Sequence, residues 1–310
     1  MEFPSTLPSV VLVSKRSAFE RYQDLLSPNP ASDDSHLKKG HEINYKTIHQ
    51  VQQILVERGL SFKTFTLEDL LKHPPPLFRP GLTPCPTSPL ANQLDLVICV
   101  GGDGTLLNVS HFVGGATRLL GVNSNPKTSI GFLCVASAEN FGSILDSIVS
   151  GKRTPRKVHR IQIQSQSPLI PPFPLALNDI LFSHAHPAAT SRYLMNWDHH
   201  PQRCISSGVW ISAPAGSTGA ISSYQLGTAN LEDRVVRFST REPYSSHLLP
   251  FPESCKKGVK EVLNNETFLT LKSEMREGLL SIDGERSSVP IQYGQEILLK
   301  LPVQANLNLF

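Results

Sequence analysis

The chain has 310 residues, 39% of them hydrophobic and 18% charged, with a net charge of +3 at neutral pH. That length admits two hydrophobic cores. The composition is that of a globular rather than a disordered chain, and the charge is too small to argue for nucleic acid while suiting an anionic metabolite. The five cysteines include no C-x-x-C pair, which argues against a disulfide scaffold or a zinc site and fits a reducing compartment. No basic leader, membrane-length apolar run or recognisable carboxyl-terminal signal is visible, so a cytoplasmic protein with no membrane partner is expected.

Residues 9–15 are rich in Val and Leu and predict a buried strand. Residues 27–40 are polar and turn-rich and predict a loop. Ile48, Val51, Ile54 and Leu55 recur at helical spacing within 45–58, with Gly59 as the stop, and a strand is expected over 62–66. Residues 73–89 hold seven prolines, which excludes a regular helix or central strand and favours a surface loop over a docking ligand for a polyproline groove. The apolar run 94–100, with Cys99 as a small core residue, predicts a buried strand. It ends in Gly101-Gly102-Asp103-Gly104-Thr105 and an apolar helix-like stretch.

A parallel strand delivers such a turn to its carboxyl end, where open α/β sheets bind ligands. The glycines let the backbone approach a bulky anion, and the N–H groups opening the next helix can receive phosphate oxygens. Asp103 is then a lone acid among phosphates, a position that makes sense if it handles a proton or a hydroxyl. A further strand at 119–123 and a helix at 138–150 complete a β-α-β-α order, which specifies a parallel sheet. From residue 157 the texture changes to short strands, expected at 158–164, 176–183, 191–197, 209–212, 268–271, 279–282 and 296–301. The expected organisation is an α/β domain over 1–150 and a β-rich domain over 151–310.

Two stretches of the second half carry chemistry. Asn178 and Asp179 interrupt an apolar strand, and burying both costs several kcal/mol, roughly, unless each is hydrogen-bonded. Ribose hydroxyls would satisfy them, as would the capping of a nearby turn. The loop Gly216-Ser217-Thr218-Gly219 offers backbone amides and two hydroxyls with little bulk, suiting a base or a phosphate, and a helix is expected over 221–226. Lys152, Arg153, Arg156, Lys157 and Arg160 form a basic run read as solvated surface. His184 with His186, and His199 with His200, lack partners for a metal, so no metal site is assigned. Asp283-Gly284 is read first as a hairpin turn.

Taken in order, these segments resemble the NAD kinase family: a GGDGT turn, an Asn-Asp pair in a strand, and a small-residue G-S-T loop, with Gly121-Val-Asn-Ser and Ile130-Gly-Phe-Leu also similar. The resemblance spans about residues 94–300. It implies the two-domain architecture shared by NAD and diacylglycerol kinases, and transfer of the γ-phosphoryl group of ATP to the 2′-hydroxyl of the adenosine ribose in NAD or NADH, giving NADP or NADPH. It assigns Asp103 to orient and deprotonate that hydroxyl; Gly101, Gly102, Gly104 and Thr105 to the phosphate-side turn; Asn178 and Asp179 to the dinucleotide; and Gly216, Ser217, Thr218 and Ser223 to the adenine and ribose side. A contact of the Asp283 turn with the ligand is implied as well. Mg²⁺ is expected to arrive with ATP, held mainly by phosphate oxygens and water. A homodimer is implied.

The pattern departs from that of many members at Ser207-Gly208, where an acid is common before the glycine, and at Gly219 and Ala220, where Ala-Tyr is common. These features and the segment 187–192 look most similar to the plant NADH kinase branch, which implies use of NADH at least as readily as NAD. A lipid kinase of the diacylglycerol or sphingosine type would share the glycine turn but follow it with an Asn-Glu pair, where this chain has Leu106-Leu107-Asn108. A catalytically weak NAD(H) sensor is the other alternative, against which the intact Asp103 argues.

Overall fold

The structure, a computed structural model, describes residues 9–22, 35–72, 95–165, 173–197, 201–247 and 250–310. The chain divides into two compact units. One holds the described part of Met1–Arg79 with Cys85–Arg156 and Asn308–Phe310, and the other holds Lys157–Leu307.

The first unit runs β1 (Val10–Ser14), α1 (Ala18–Tyr22), α2 (Ser35–Glu57), β2 (Phe62–Thr66), α3 (Leu67–Lys72), β3 (Leu96–Gly101), α4 (Asp103–Ser110), β4 (Arg118–Asn123), β5 (Ala136–Ser137), α5 (Phe141–Val149) and β6 (Arg156–Val158). Strands β1 and β3 are buried at every position, as expected for apolar strands covered on both faces of a parallel sheet. β1 pairs in parallel with β2 and β3, and β3 with β4. The chain thus adds β2 on one side of β1 and β3 on the other. That reversal is the switch point at which such sheets bind ligands beyond the strand carboxyl ends. In α5, Phe141, Ile144, Leu145 and Ile148 are buried at helical spacing.

The second unit runs β7 (Gln162–Ser165), β8 (Asp179–His184), β9 (Ser191–Asn196), β10 (Gln202–Ser206), β11 (Val209–Ser212), β12 (Val235–Thr240), β13 (Lys257–Glu261), β14 (Thr267–Ser273), β15 (Gly278–Ile282), β16 (Ser288–Ile291) and β17 (Glu296–Lys300). They form two antiparallel sheets, in the orders β10-β9-β14-β17-β7 and β13-β12-β11-β8-β15-β16. One core draws on both: Phe182 of β8 meets Tyr193 of β9 edge-on at 5.7 Å between ring centroids, and Phe238 of β12 lies 4.4 Å from Trp197. The last strand, β18 (Leu307–Leu309), leaves this unit and pairs in parallel with β4, placing Asn308 opposite Arg118. The molecule is therefore an α/β sheet unit followed by antiparallel β-sheets. No helix among the described residues is long and apolar enough to cross a membrane.

Several expected boundaries move for physical reasons. Helix α2 begins at Ser35, so 35–40 is helix rather than loop. Its first turns are largely exposed and carry no apolar stripe to read. Residues 27–34 and the proline-rich segment 73–89 lie outside the described residues. The strand expected over 158–164 is two strands that join different sheets, separated by buried His159 and Arg160. The strand expected from 176 starts at Asp179: Ala176 makes only an isolated bridge to Ile161, and the N–H groups of Leu177 and Asn178 bond to the Asp283 side chain. The helix expected over 221–226 is a short 3-10 turn, Ala220–Tyr224, closed by Gln225 in the left-handed region (φ 58°).

Candidate functional site

The residues expected to act fall into two groups, one in each unit. In the first, buried β3 carries Gly101 and Gly102 to the start of α4. A Cβ on Gly101 would run into the Thr105 side chain, and one on Gly102 would lie 2.8 Å from Ser129 Oγ. Packing therefore demands glycine at Gly101, whereas at Gly102 the Ser129 hydroxyl would have to turn aside. Gly104 is different: nothing lies within 4 Å of where its Cβ would be. It presents bare backbone to open space, as a position approached from outside would. Thr105 and Leu106 N–H bond to Gly102 O at 2.9 and 3.2 Å, which leaves the N–H groups of Asp103 and Gly104 with no acceptor within the helix, and Gly102 supplies no side-chain cap. Thr105 is buried, and its hydroxyl has no partner among the described residues.

Asp103 is half-buried at the first position of α4. Its Oδ1 accepts the Leu133 N–H and its Oδ2 the Phe132 N–H, each at 2.8 Å. A carboxylate oxygen has two lone pairs, so the carboxylate keeps capacity for a further donor. The turn that supplies these amides is set by Gly131 at φ 62°, where a Cβ would strike the Asn123 side chain. Asn123, at the end of β4, holds it from below by donating to Ser129 O at 3.1 Å. Burial pushes the Cys134 thiol up to about 12, reinforced by the charge of Asp103 and a hydrogen bond to it, so the thiol stays protonated beside that carboxylate. The same turn exposes Ile130 (94%) and Phe132 (54%). Two bare apolar side chains next to a carboxylate suit the flat face of a base or ring. Sequence reasoning left them out of the site, although the Ile130-Gly-Phe-Leu segment was the signal.

In the second unit, the backbone of the Asn178-Asp179 pair is held by Asp283, and the two side chains bond to each other. Asp283 accepts the N–H of Leu177 on Oδ2 at 2.8 Å, and those of Asn178 and Asp179 on Oδ1 at 2.6 and 3.0 Å. Asp283 N–H returns a bond to Asp179 O at 2.9 Å. Asn178 Nδ2 donates to Asp179 Oδ2 at 3.0 Å. Burial, then the charge of Asp283, raises Asp179 to about 7, against the lowering effect of the Asn178 hydrogen bond. Asp283 sits in a hairpin loop at φ 51°, so the turn reading holds, but its carboxylate is a clamp on the strand that carries the pair. Arg160, read as part of a solvated basic run, is buried instead. Its Nε donates to Ala305 O at 2.7 Å, and burial lowers it to about 10 against the opposing pull of Asp283. Lys152, Arg153, Arg156 and Lys157 are exposed. The clamp and its arginine were missed because the acid that organises the pair stands over a hundred residues away in sequence.

The G-S-T loop lies against the same strand. A Cβ on Gly216 would collide with the Asn178 carbonyl oxygen, and one on Gly219 would lie 2.9 Å from Asn178 Nδ2. Buried Ser217 accepts the Ala229 N–H on Oγ at 3.0 Å, so that oxygen already holds the loop. Arg237, buried on β12, pins the following segment by donating to Leu226 O at 3.2 Å and Thr228 O at 2.9 Å. Thr218 and Ser223 are exposed, and Ser223 donates to Ala220 O at 2.9 Å. His184 and His186 accept backbone N–H bonds in their own turn, and His199 and His200 lie outside the described residues. Among the described residues no group of three or more His, Cys, Asp or Glu is arranged to hold a metal.

A sequence model of the ATP-NAD kinase N-terminal domain matches residues 87–153. A protein of Oryza sativa subsp. japonica named as a probable NADH kinase is 33% identical over 227 residues, covering 66% of this chain and 68% of its own. The NADH kinase of Arabidopsis thaliana is 32% identical over 300 residues, covering 84% and 82%. Among solved structures, yeast NADH kinase complexed with NADH superposes with a TM-score of 0.65 at 17% identity, over 99% of this chain and 84% of that one. An NAD kinase from Archaeoglobus fulgidus in complex with ATP gives 0.61 at 16% identity, over 94% and 90%.

Proposed function

The chain belongs to the NAD kinase family, and on that premise we propose that it transfers the γ-phosphoryl group of ATP to the 2′-hydroxyl of the adenosine ribose of NADH and NAD. The observation that carries this reading is Asp103. Its carboxylate is anchored by two backbone N–H groups, keeps lone pairs to spare, and stands at the opening of α4 beside the bare backbone of Gly104.

Asp103 orients the hydroxyl and takes its proton as the new O–P bond forms and the bond from the γ-phosphorus to the bridging oxygen breaks, releasing ADP. Phosphoryl transfer passes through a loose transition state, so alignment and neutralisation of phosphate charge weigh more than base strength. The N–H groups of Asp103 and Gly104 at the helix start receive phosphate oxygens, the anion-binding property of such a terminus. Asn178 and Asp179 contact the dinucleotide, with Thr218 and Ser223 on its adenine and ribose. Mg²⁺, when bound with ATP, neutralises phosphate charge. The chain's contribution is the phosphate cradle, with Mg²⁺ held mainly by phosphate oxygens and water. The active form is a homodimer.

NADH is used at least as readily as NAD. Oxidised nicotinamide carries a positive charge and the reduced ring does not. Ser207-Gly208 supplies no carboxylate to reward that charge, and two of the plant relatives are named for NADH. Steady-state kinetics with Mg-ATP and each dinucleotide test this, and a strong preference for NAD overturns it. For the reaction itself, Asp103→Asn lowers kcat by about 10²–10⁴ while dinucleotide binding by fluorescence or calorimetry persists. Undiminished turnover would remove the base from the mechanism.

A further inference from the structure

Strand β13 carries its own complement. It closes one edge of the 6-stranded sheet, bonded to β12 on one side, and among the described residues no strand pairs with the other side. Antiparallel strands alternate between residues that exchange both backbone bonds with a neighbour and residues whose N–H and C=O point away from it. Thr240 N–H bonds to Lys256 O and Val262 N–H to Arg234 O, each at 2.8 Å. In the register that sets Val235 opposite Glu261, the groups facing β12 therefore belong to Gly258 and Lys260. Those facing outward belong to Lys257, Val259 and Glu261.

The side chains divide the same way. Gly258 lies against Phe238 and Trp197, with Lys260 Nζ 5.9 Å from the Trp197 ring centroid. Lys257 and Glu261 are exposed, and Val259 is 49% exposed. One strand thus presents, on its free edge and solvent face, a cation, an apolar β-branched residue and an anion at alternate positions. That order is complementary to itself when reversed. A second copy running antiparallel about a two-fold axis at Val259 sets Lys257 against Glu261 of the second copy, Glu261 against its Lys257, and Val259 against its Val259. Every one of these positions has outward backbone groups, so each pair exchanges two hydrogen bonds. A shift of two residues either way loses a pair and sets a charge against Val259. At the opposite edge of the sheet β16 carries Pro290, which lacks an N–H and blunts an edge against pairing.

We infer that β13 is the surface through which two copies of this chain join, edge to edge, into one continuous sheet. The inference names the interface of the homodimer proposed above and does not rest on phosphotransfer. It is read by mass and cross-linking, so failure of the kinase assignment leaves it standing, and the reverse.

Sedimentation equilibrium of the wild type and of Lys257→Glu, Glu261→Lys and the double exchange supplies the test. Each single change sets like charges against each other on both sides of the axis and weakens dimerisation about tenfold or more, while the double exchange restores it. Val259→Cys, treated with a short bis-maleimide, gives a cross-linked dimer beyond the wild-type background, because bonded partners sit about 5.5 Å apart between Cα atoms. Circular dichroism confirms that the exposed substitutions leave the fold intact. A monomeric wild type, single changes without effect, a double exchange as weak as the singles, or no cross-link above background each overturns the inference.

Discussion

Asp179 is a largely buried carboxylate, beside a second acid, Asp283, that holds its backbone. The folded chain keeps the Asp179 proton to about pH 7, whereas an unfolded aspartate releases it near pH 4. Between those values the folded state binds more protons than the unfolded one, so stability falls as pH rises through that window and levels off above it. The cost at pH 8 is on the order of 4 kcal/mol, taking 1.36 kcal/mol for each unit. Asp179→Asn removes the dependence. Its melting temperature exceeds that of the wild type most at pH 8, and the gap closes towards pH 4. A gap that stays constant with pH would mean that Asp179 does not titrate in that window. The pair was legible in sequence as an anomaly, two polar side chains inside an apolar run. What satisfied it was not, because neither spacing nor composition ties Asp283 to Leu177, Asn178 and Asp179.

At the scale of elements, the turn between β4 and β5 does for Asp103 what Asp283 does for the Asn-Asp strand: backbone amides meet a carboxylate and fix its direction. Gly131 is the joint of that turn. Gly131→Ala incurs about 1–2 kcal/mol for its left-handed backbone and forces the Asn123 side chain aside, moving the amides of Phe132 and Leu133 off Asp103. Misplacement of a reacting group by about an ångström costs up to roughly 10² in rate, so kcat falls at least tenfold while the KM for ATP changes little. Steady-state kinetics separate the two parameters, and a loss confined to KM counts against the turn as a positioning element. Strands β1, β3 and β4 were legible because they are buried almost throughout and their residues are mostly apolar. Strands β10, β12 and β13 were not. Gln202, Arg203, Arg237, Lys257 and Glu261 place polar groups in them, and the sheet rather than the local sequence decides their state.

For the whole molecule, the pattern of β-α-β-α followed by short strands specified the order of architectures, but not that the chain ends by going back. Leu307, Leu309 and Phe310 are buried, β18 pairs with Arg118 and Leu119 of β4, and Phe310 N–H bonds to Leu119 O at 2.9 Å. Three buried apolar side chains contribute roughly 5–9 kcal/mol at about 1.5–3 each, comparable to the entire stability of an ordinary domain. Removing residues 307–310 therefore yields protein that is insoluble or lacks a cooperative thermal transition. A soluble, sharply melting truncation would show β18 to be dispensable. Because ribosomes release a polypeptide from its amino end, the stretch that finishes the first sheet emerges only after the whole second unit. Domains commonly fold in order of emergence, yet here the earliest to appear must wait for the latest. Until then the start of β4 offers open donors and acceptors to any passing strand, so nascent chains are most vulnerable to mispairing during that interval.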